Sequence, residues 1–227
     1  MELAAEDLAA LADRCADLVS DAHGSRRRVL GITGPPGAGK TTLVTALLAA
    51  AAGDPRLAGR VAHLPMDGFH LPSAQLRSLG RLDRKGAPDT FDAEAYAAVL
   101  AAVRSLPRRV VAGPAFDHSV GEPEAGGVSI PVEADLVLTE GNYLLLDDPA
   151  WRPLRSHLDE VWYCALDDQL RRDRLISRHV GTGRGLADAT AWVDRSDEAN
   201  ARRVAATVEG ADLVLVDGRV LERRAER

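Results

Sequence analysis

The chain has 227 residues, 27% of them charged and 46% hydrophobic, and 34 acidic side chains against 28 Lys and Arg leave a formal net charge of −6. That acidic balance argues against general binding to nucleic acid or to an anionic membrane, so a phosphate ligand has to be held by a local cluster. The length fits a single α/β domain over 1–227 with one sizeable core.

The acidic N-terminus, Met1 to Asp7, is unlike a signal peptide. No apolar run approaches the ~20 residues of a membrane span, so cytoplasmic residence is expected. Residues 1–26 form a leading segment in which Leu8, Leu11, Ala12, Cys15, Leu18 and Val19 predict an amphipathic helix from Leu3 to Ser20. Cys15 and Cys164 show no metal spacing, and the apolar surroundings of Cys164 predict a buried free thiol.

Arg28 to Thr33 reads as a buried strand, and Thr42 to Ala50 as a helix. Between them Gly34-Pro35-Pro36-Gly37-Ala38-Gly39-Lys40-Thr41 matches G-x-x-x-x-G-K-[ST] at every fixed position. Such a loop turns its backbone N–H groups around a phosphate chain, and the following helix adds its positive dipole end. Gly34, Pro35, Gly37, Ala38, Gly39, Lys40, Thr41 and Thr42 are therefore the candidate ATP-binding residues. Lys40, one of two lysines in the chain, suits the β- and γ-phosphates as a compact charge. Thr41 offers a hydroxyl to Mg²⁺, which is commonly bound through phosphates and one or two protein oxygens.

Arg60 to Asp67 predicts a second strand ending on a carboxylate, and Gly68 to Asp89 a functional loop with a short helix inside it. Asp92 is placed to cap a helix running to about Ser105, before Pro107. Arg109 to Asp117 is a strand candidate whose Pro114 argues for an edge or an early end, and Gly126 to Val132 part of a hairpin. Ala134 to Glu140 is a buried strand ending on an acid. Glu160 to Leu166 is another, after which Asp167 caps an Arg-rich helix to about His179. Gly181, Gly183 and Gly185 break it. A helix from about Asp188 to Val208 and a strand from Ala211 to Val216 complete the set. Strands alternating with helices predict a doubly wound, mostly parallel sheet with helices on both faces.

In open α/β sheets, ligands bind beyond the carboxyl ends of the strands. The glycine loop, Asp67 and Glu140 all fall at such ends. Asp67 is placed to accept a hydroxyl proton and Glu140 to hold Mg²⁺ directly or through water, with Thr41 and Asp67 as further metal candidates. Arg171, Arg174 and Arg178 share one helix face. Beside the flexible glycines they suggest a lid over about 171–190, with Arg174 and Arg178 able to stabilise a transferring phosphoryl group and Arg184 behind them. Lys85 either binds an anionic acceptor or sits solvated beside Asp83 and Asp89. His70 either orients Asp67, touches substrate, or is a satisfied loop histidine, and His118 is similar. His23, His63, His157 and the three tryptophans, Trp151, Trp162 and Trp192, are read as structural.

Five stretches together resemble the uridine kinase, phosphoribulokinase and type I pantothenate kinase group. These are Gly34 to Thr42, Met66-Asp67-Gly68-Phe69-His70, Ala87-Pro88-Asp89-Thr90-Phe91-Asp92, Thr139-Glu140-Gly141-Asn142-Tyr143, and the arginine-bearing segment Arg171 to Arg184. The resemblance covers about 27–217 and implies a P-loop kinase that uses ATP and Mg²⁺ on a small-molecule hydroxyl acceptor: a nucleoside, a sugar or a pantothenate-like alcohol. By it, Asp67 corresponds to the base, Glu140 to the metal-side glutamate, and Phe91-Asp92 to a pair whose aspartate binds ribose hydroxyls. Phe116 to Ser119 lies where uridine kinases carry a nucleobase-contacting segment, while Val120 to Gly126 departs from their pattern. His70, Lys85, Phe91, Asp92, His118 and Tyr143 are thus the candidate acceptor residues, with 68–92 as the acceptor-binding region. Many relatives form dimers, so a homodimer is expected. A nucleoside monophosphate kinase and a non-catalytic nucleotide-dependent regulator remain as alternatives. The segment Asp67 to His70 argues against the first, since a phosphate acceptor needs no base. No Asn-Lys-x-Asp segment occurs, which disfavours a GTPase.

Overall fold

Near-continuous apolar runs become the inner strands of a parallel sheet covered on both faces. The computed structural model describes residues 4–22 and 26–223, so Leu3 and His23 lie outside the described residues. In chain order the elements are α1 (Ala5–Asp21), β1 (Arg28–Thr33), α2 (Lys40–Gly53), β2 (Val61–Pro65), α3 (Ser73–Ser78), α4 (Ala93–Val103), β3 (Val111–Asp117) and β4 (Glu122–Ile130). There follow β5 (Leu136–Glu140), β6 (Glu160–Ala165), α5 (Asp168–Gly181), α6 (Leu186–Trp192), α7 (Glu198–Ala205), β7 (Leu213–Val216) and β8 (Arg219–Arg223).

The main sheet has the order β2-β5-β1-β6-β7-β8, with β8 antiparallel to β7 and the other pairs parallel. Side chains alternate between its faces, as strand geometry requires. Leu30, Ile32, Leu136, Leu138 and Trp162 meet α1 and α2 on one face through Leu11, Leu18, Leu43 and Leu47. Val29, Val137, Val161 and Tyr163 meet Tyr96, Leu100, Trp151, Leu154 and Val204 on the other. The α1 helix is fastened by Arg14, whose guanidinium reaches both oxygens of Glu160, and that carboxylate also accepts from Trp162 Nε1 at 2.7 Å. Cys15 and Cys164 are both buried free thiols, each pushed up to about 12 by burial. No helix of the described residues is long and apolar enough to cross a membrane.

Register decides where the chemistry falls. Ile32 pairs with Glu140 and Glu140 with Pro65, so the ends of β1, β5 and β2 stand in one row. The glycine loop, Asp67 and Glu140 therefore open onto the same edge of the sheet.

Two expectations need correcting. The strand expected at 109–117 does not join the main sheet. As β3 it pairs only with β4, whose start at Glu122 precedes the hairpin expected from Gly126. Its register shifts between Gly113 and Ala115, across the proline that has no N–H to give. This hairpin rests on the 3-10 turn Met66–Phe69. A Cβ on Gly68 would lie 2.1 Å from the Pro114 carbonyl oxygen, so only glycine allows that approach. Its base is tied by Arg27, fully buried, which donates to the carbonyls of Ala134, Val103, Arg109 and Pro131. Second, the single helix expected over 188–208 starts at Leu186 and stops at Ala205, with a π-helical turn at Val193–Asp197 between α6 and α7.

Candidate active site

The glycine loop runs from the end of β1 into α2. Gly34 adopts φ 145°, and a Cβ there would stand 2.2 Å from the Cys164 carbonyl oxygen, so the first turn of the loop excludes any side chain. Pro35 and Ala38 are buried, Gly37 and Gly39 half-buried, and Thr41 and Thr42 are exposed at the helix start. Lys40 is buried, and its ammonium donates to the carbonyls of Gly34 (3.0 Å) and Pro35 (3.1 Å) and to Asn142 Oδ1 (2.6 Å). Burial pulls Lys40 below its ordinary value, while Glu140 opposes that shift. Asn142 went unassigned in the sequence, although it stands two residues beyond Glu140.

Glu140 is 6% exposed, and its Oε1 accepts from Thr41 Oγ1 at 3.2 Å. Its carboxyl is pushed up to about 7, first by burial and then by the neighbouring charge of Asp67. A buried carboxyl held protonated beside a second carboxylate and a threonine hydroxyl makes a donor set that a divalent cation suits. Thr41, Glu140 and Asp67 are the residues that would hold Mg²⁺.

The arginine stripe of α5 divides. Arg171 is 1% exposed beneath the loop, where it binds Glu198 Oε1 (2.6 Å) and Asp168 (3.2 Å) and donates to the Pro36 carbonyl (3.5 Å). Arg174 is half-buried and Arg178 exposed, and the charge of Arg178 bears on the Lys40 ammonium. Arg184 stacks on the Trp192 ring at 3.9 Å, so this tryptophan carries a cation as well as packing.

Just beyond β2, Asp67 lies half-buried in the 3-10 turn. His70 Nδ1 is 2.8 Å from the Asp67 carbonyl oxygen, which can only accept, so this nitrogen carries the proton. Burial holds His70 below its ordinary value, against the pull of Asp67. The His70 ring lies between Phe91 (4.0 Å between centroids) and Phe116 (4.6 Å). Asp92 N donates to Phe69 O and Leu71 N to Thr90 O, which zips the two arms of the loop together.

The remaining acceptor candidates have partners of their own. Tyr143 is fully buried and its hydroxyl donates to the Gly86 carbonyl, to which Asn200 Nδ2 also donates at 3.3 Å. It anchors the loop from below rather than facing a ligand. Lys85 is neither free nor solvated: its ammonium donates to Ser73 Oγ (2.8 Å) and Gly121 O (2.5 Å), near Glu122. Asp92 accepts from Ala95 N at 2.8 Å as the cap of α4, with that one oxygen committed. Phe91 is buried against Tyr143 and Trp151, while His118 is exposed beside Phe116. His63 is pushed down to about 4 by burial, in keeping with a structural role.

No family model matches the chain. It is 37% identical over 194 residues to the uncharacterized protein YggC of Escherichia coli, across 84% of this chain and 78% of that one. A Schizosaccharomyces pombe protein named as a candidate uridine kinase is 30% identical over 200 residues, across 84% of this chain and 83% of its own. Among solved structures, a Silicibacter protein named as a candidate fructose transport system kinase superposes with TM-score 0.76 at 33% identity, covering 90% of this chain and 98% of that one. The chain belongs to the P-loop kinase group that includes uridine kinase and type I pantothenate kinase.

Proposed function

We propose that this protein transfers the γ-phosphoryl group of ATP to a hydroxyl of a small metabolite, with Asp67 as the base. The observation that carries the reading is the row set by Ile32, Glu140 and Pro65, which puts the phosphate loop, the Thr41–Glu140 pair and Asp67 on one sheet edge. Relatives named for uridine and for fructose transport are consistent with hydroxyl-bearing acceptors.

Loop N–H groups and the start of α2 hold the phosphate chain of the donor. Lys40 exchanges its contacts with the Gly34 and Pro35 carbonyls for phosphate oxygens, while Asn142 keeps it aimed. Thr41, Glu140 and Asp67 would hold Mg²⁺, which would supply charge neutralisation on the donor phosphates. Arg174 and Arg178 on α5 stabilise the equatorial oxygens, in keeping with the charge of Arg178 already bearing on Lys40. The acceptor hydroxyl oxygen forms the new bond to phosphorus as its proton passes to the Asp67 carboxylate. The bond from phosphorus to the bridging oxygen breaks, and ADP leaves with that electron pair. Arg171 positions the loop through the Pro36 carbonyl and touches no substrate. A monophosphate kinase has no use for a carboxylate base at this point, which leaves that reading behind.

The test is acceptor-stimulated ADP release with Asp67→Asn. Loss of a general base costs about 10²–10⁴-fold in turnover, with ATP affinity retained. Turnover that survives Asp67→Asn contradicts the assigned base, and tight ATP binding that no acceptor converts into turnover favours a regulator.

A further inference from the structure

We infer that the acceptor is a neutral, non-aromatic polyol of sugar-like size, and that His70 excludes the planar bases of nucleosides by occupying the ring slot itself. The inference rests on the hydroxyl-kinase reading above and names its substrate class.

The aromatic groups of the acceptor side form a ladder with no missing rung. Aromatic pairs sit at centroid separations of about 4.5–7 Å, so a base held between Phe91 and Phe116 needs that distance from both. His70 already lies 4.0 Å from one and 4.6 Å from the other. Beyond Phe91, Tyr143 and Trp151 pack edge-on at 5.7 and 5.8 Å. Beyond Phe116 come His118 at 5.1 Å and the Lys85 ammonium at 5.6 Å. The His70 ring is fixed by its Nδ1 contact to the Asp67 carbonyl and by the backbone bridge between His70 and Phe91. Removing it to admit a base breaks that contact as well as two ring pairs.

Charge points the same way. A phosphate- or carboxylate-bearing acceptor calls for a cation free to meet it. Lys85, the cation over the Phe116 ring, already faces the Glu122 carboxylate at 3.7 Å besides Ser73 Oγ and Gly121 O, whereas the Lys40 ammonium donates to neutral oxygens alone. Arg81 and Arg84 both face Asp89. What remains suits hydroxyls: the Asp67 carboxylate, the second Asp92 oxygen, and His70 Nε2, which makes no hydrogen bond among the described residues.

The experiment is an acceptor panel of neutral aldoses, ketoses and alditols against uridine, cytidine, adenosine, pantothenate and sugar monophosphates. It is run on the wild type, His70→Ala and His70→Phe, alongside calorimetric titration with uridine. In the wild type a neutral polyol is expected to raise ADP release by about tenfold or more, with the other classes below about twofold. His70→Ala opens the slot and is expected to gain uridine binding that the wild type lacks. His70→Phe keeps a ring in place, so it continues to exclude uridine while losing about tenfold in polyol kcat/KM with the missing Nε2. A wild type that uses a nucleoside, pantothenate or a sugar phosphate as well as any polyol overturns the inference and leaves the hydroxyl kinase standing. So does a folded His70→Ala that still fails to bind uridine. Silence from every acceptor class with ATP binding intact strikes the kinase reading instead, and the uridine titrations then still decide the role of the ring.

Discussion

The proposed donor half of the site, residues 34–42 with Glu140 and Asn142, is a backbone path fixed by a few glycines and completed by a handful of polar contacts. The proposed acceptor half, 67–92 with the β3–β4 hairpin, is made of side chains from separated segments that grip one another. The difference follows from the ligands. Phosphates are alike in every donor and can be met by N–H groups whose positions a short local motif dictates. An acceptor is recognised by shape, and shape comes from side chains that reach across the fold.

The two halves differ most in what they tolerate at Gly34 and Gly86. Gly34→Ala puts a methyl 2.2 Å from the Cys164 carbonyl at φ 145°, and is expected to abolish the thermal shift given by ATP and to cost roughly 3 kcal/mol or more. Gly86→Ala serves as its counterpart in the acceptor half. Its φ is 99° but a Cβ meets nothing within 4 Å, so a loss of about 1 kcal/mol with ATP binding intact is expected. Equal effects on ATP binding would erase the distinction between the halves.

Arg27→Met strips the donors from four carbonyls at the hairpin base. About 2–4 kcal/mol should be lost in urea unfolding. ATP affinity is expected to stay within a few-fold of wild type, since the damage lies under the acceptor half.

Glu140 gives a pH signature. Its carboxyl holds its proton up to about 7 in the folded protein against an ordinary value of 4.5, so the folded state binds the extra proton between those limits. Stability of the ligand-free protein should therefore fall as pH rises from about 4.5 to about 7, by about 3 kcal/mol. Thermal melts across that window should flatten in Glu140→Gln. A slope unchanged by the substitution would place its origin elsewhere.

The smallest effect is expected from Tyr143→Phe, which removes the donor to Gly86 for about 1 kcal/mol. Steady-state kinetics should show the acceptor KM rising with the ATP KM unchanged.

Much of the donor half is legible in the sequence because its chemistry is local: Gly34 to Thr42 states its own conformation, and apolar strands ending at Asp67 and Glu140 announce a shared edge. Periodicity tells which positions are buried but not what they meet. Tyr143 finds its partner at Gly86, and Lys85 finds Gly121, only through tertiary contact. The i, i+3, i+7 spacing put Arg171, Arg174 and Arg178 on one face, yet nothing in it showed that the first is buried by Glu198 while the last stays exposed. The hairpin strand β3 looked like a sheet strand because its apolar pattern is the same whether it joins the main sheet or lies across the turn Met66–Phe69.

The most direct test of the central claim is phosphorus NMR of the product formed from ATP and the best neutral polyol. A new phosphomonoester resonance, growing with ADP in the wild type and absent with Asp67→Asn, is the expected result. Appearance of the phosphoryl group only as inorganic phosphate, or as a phosphoanhydride on a nucleotide, would contradict it.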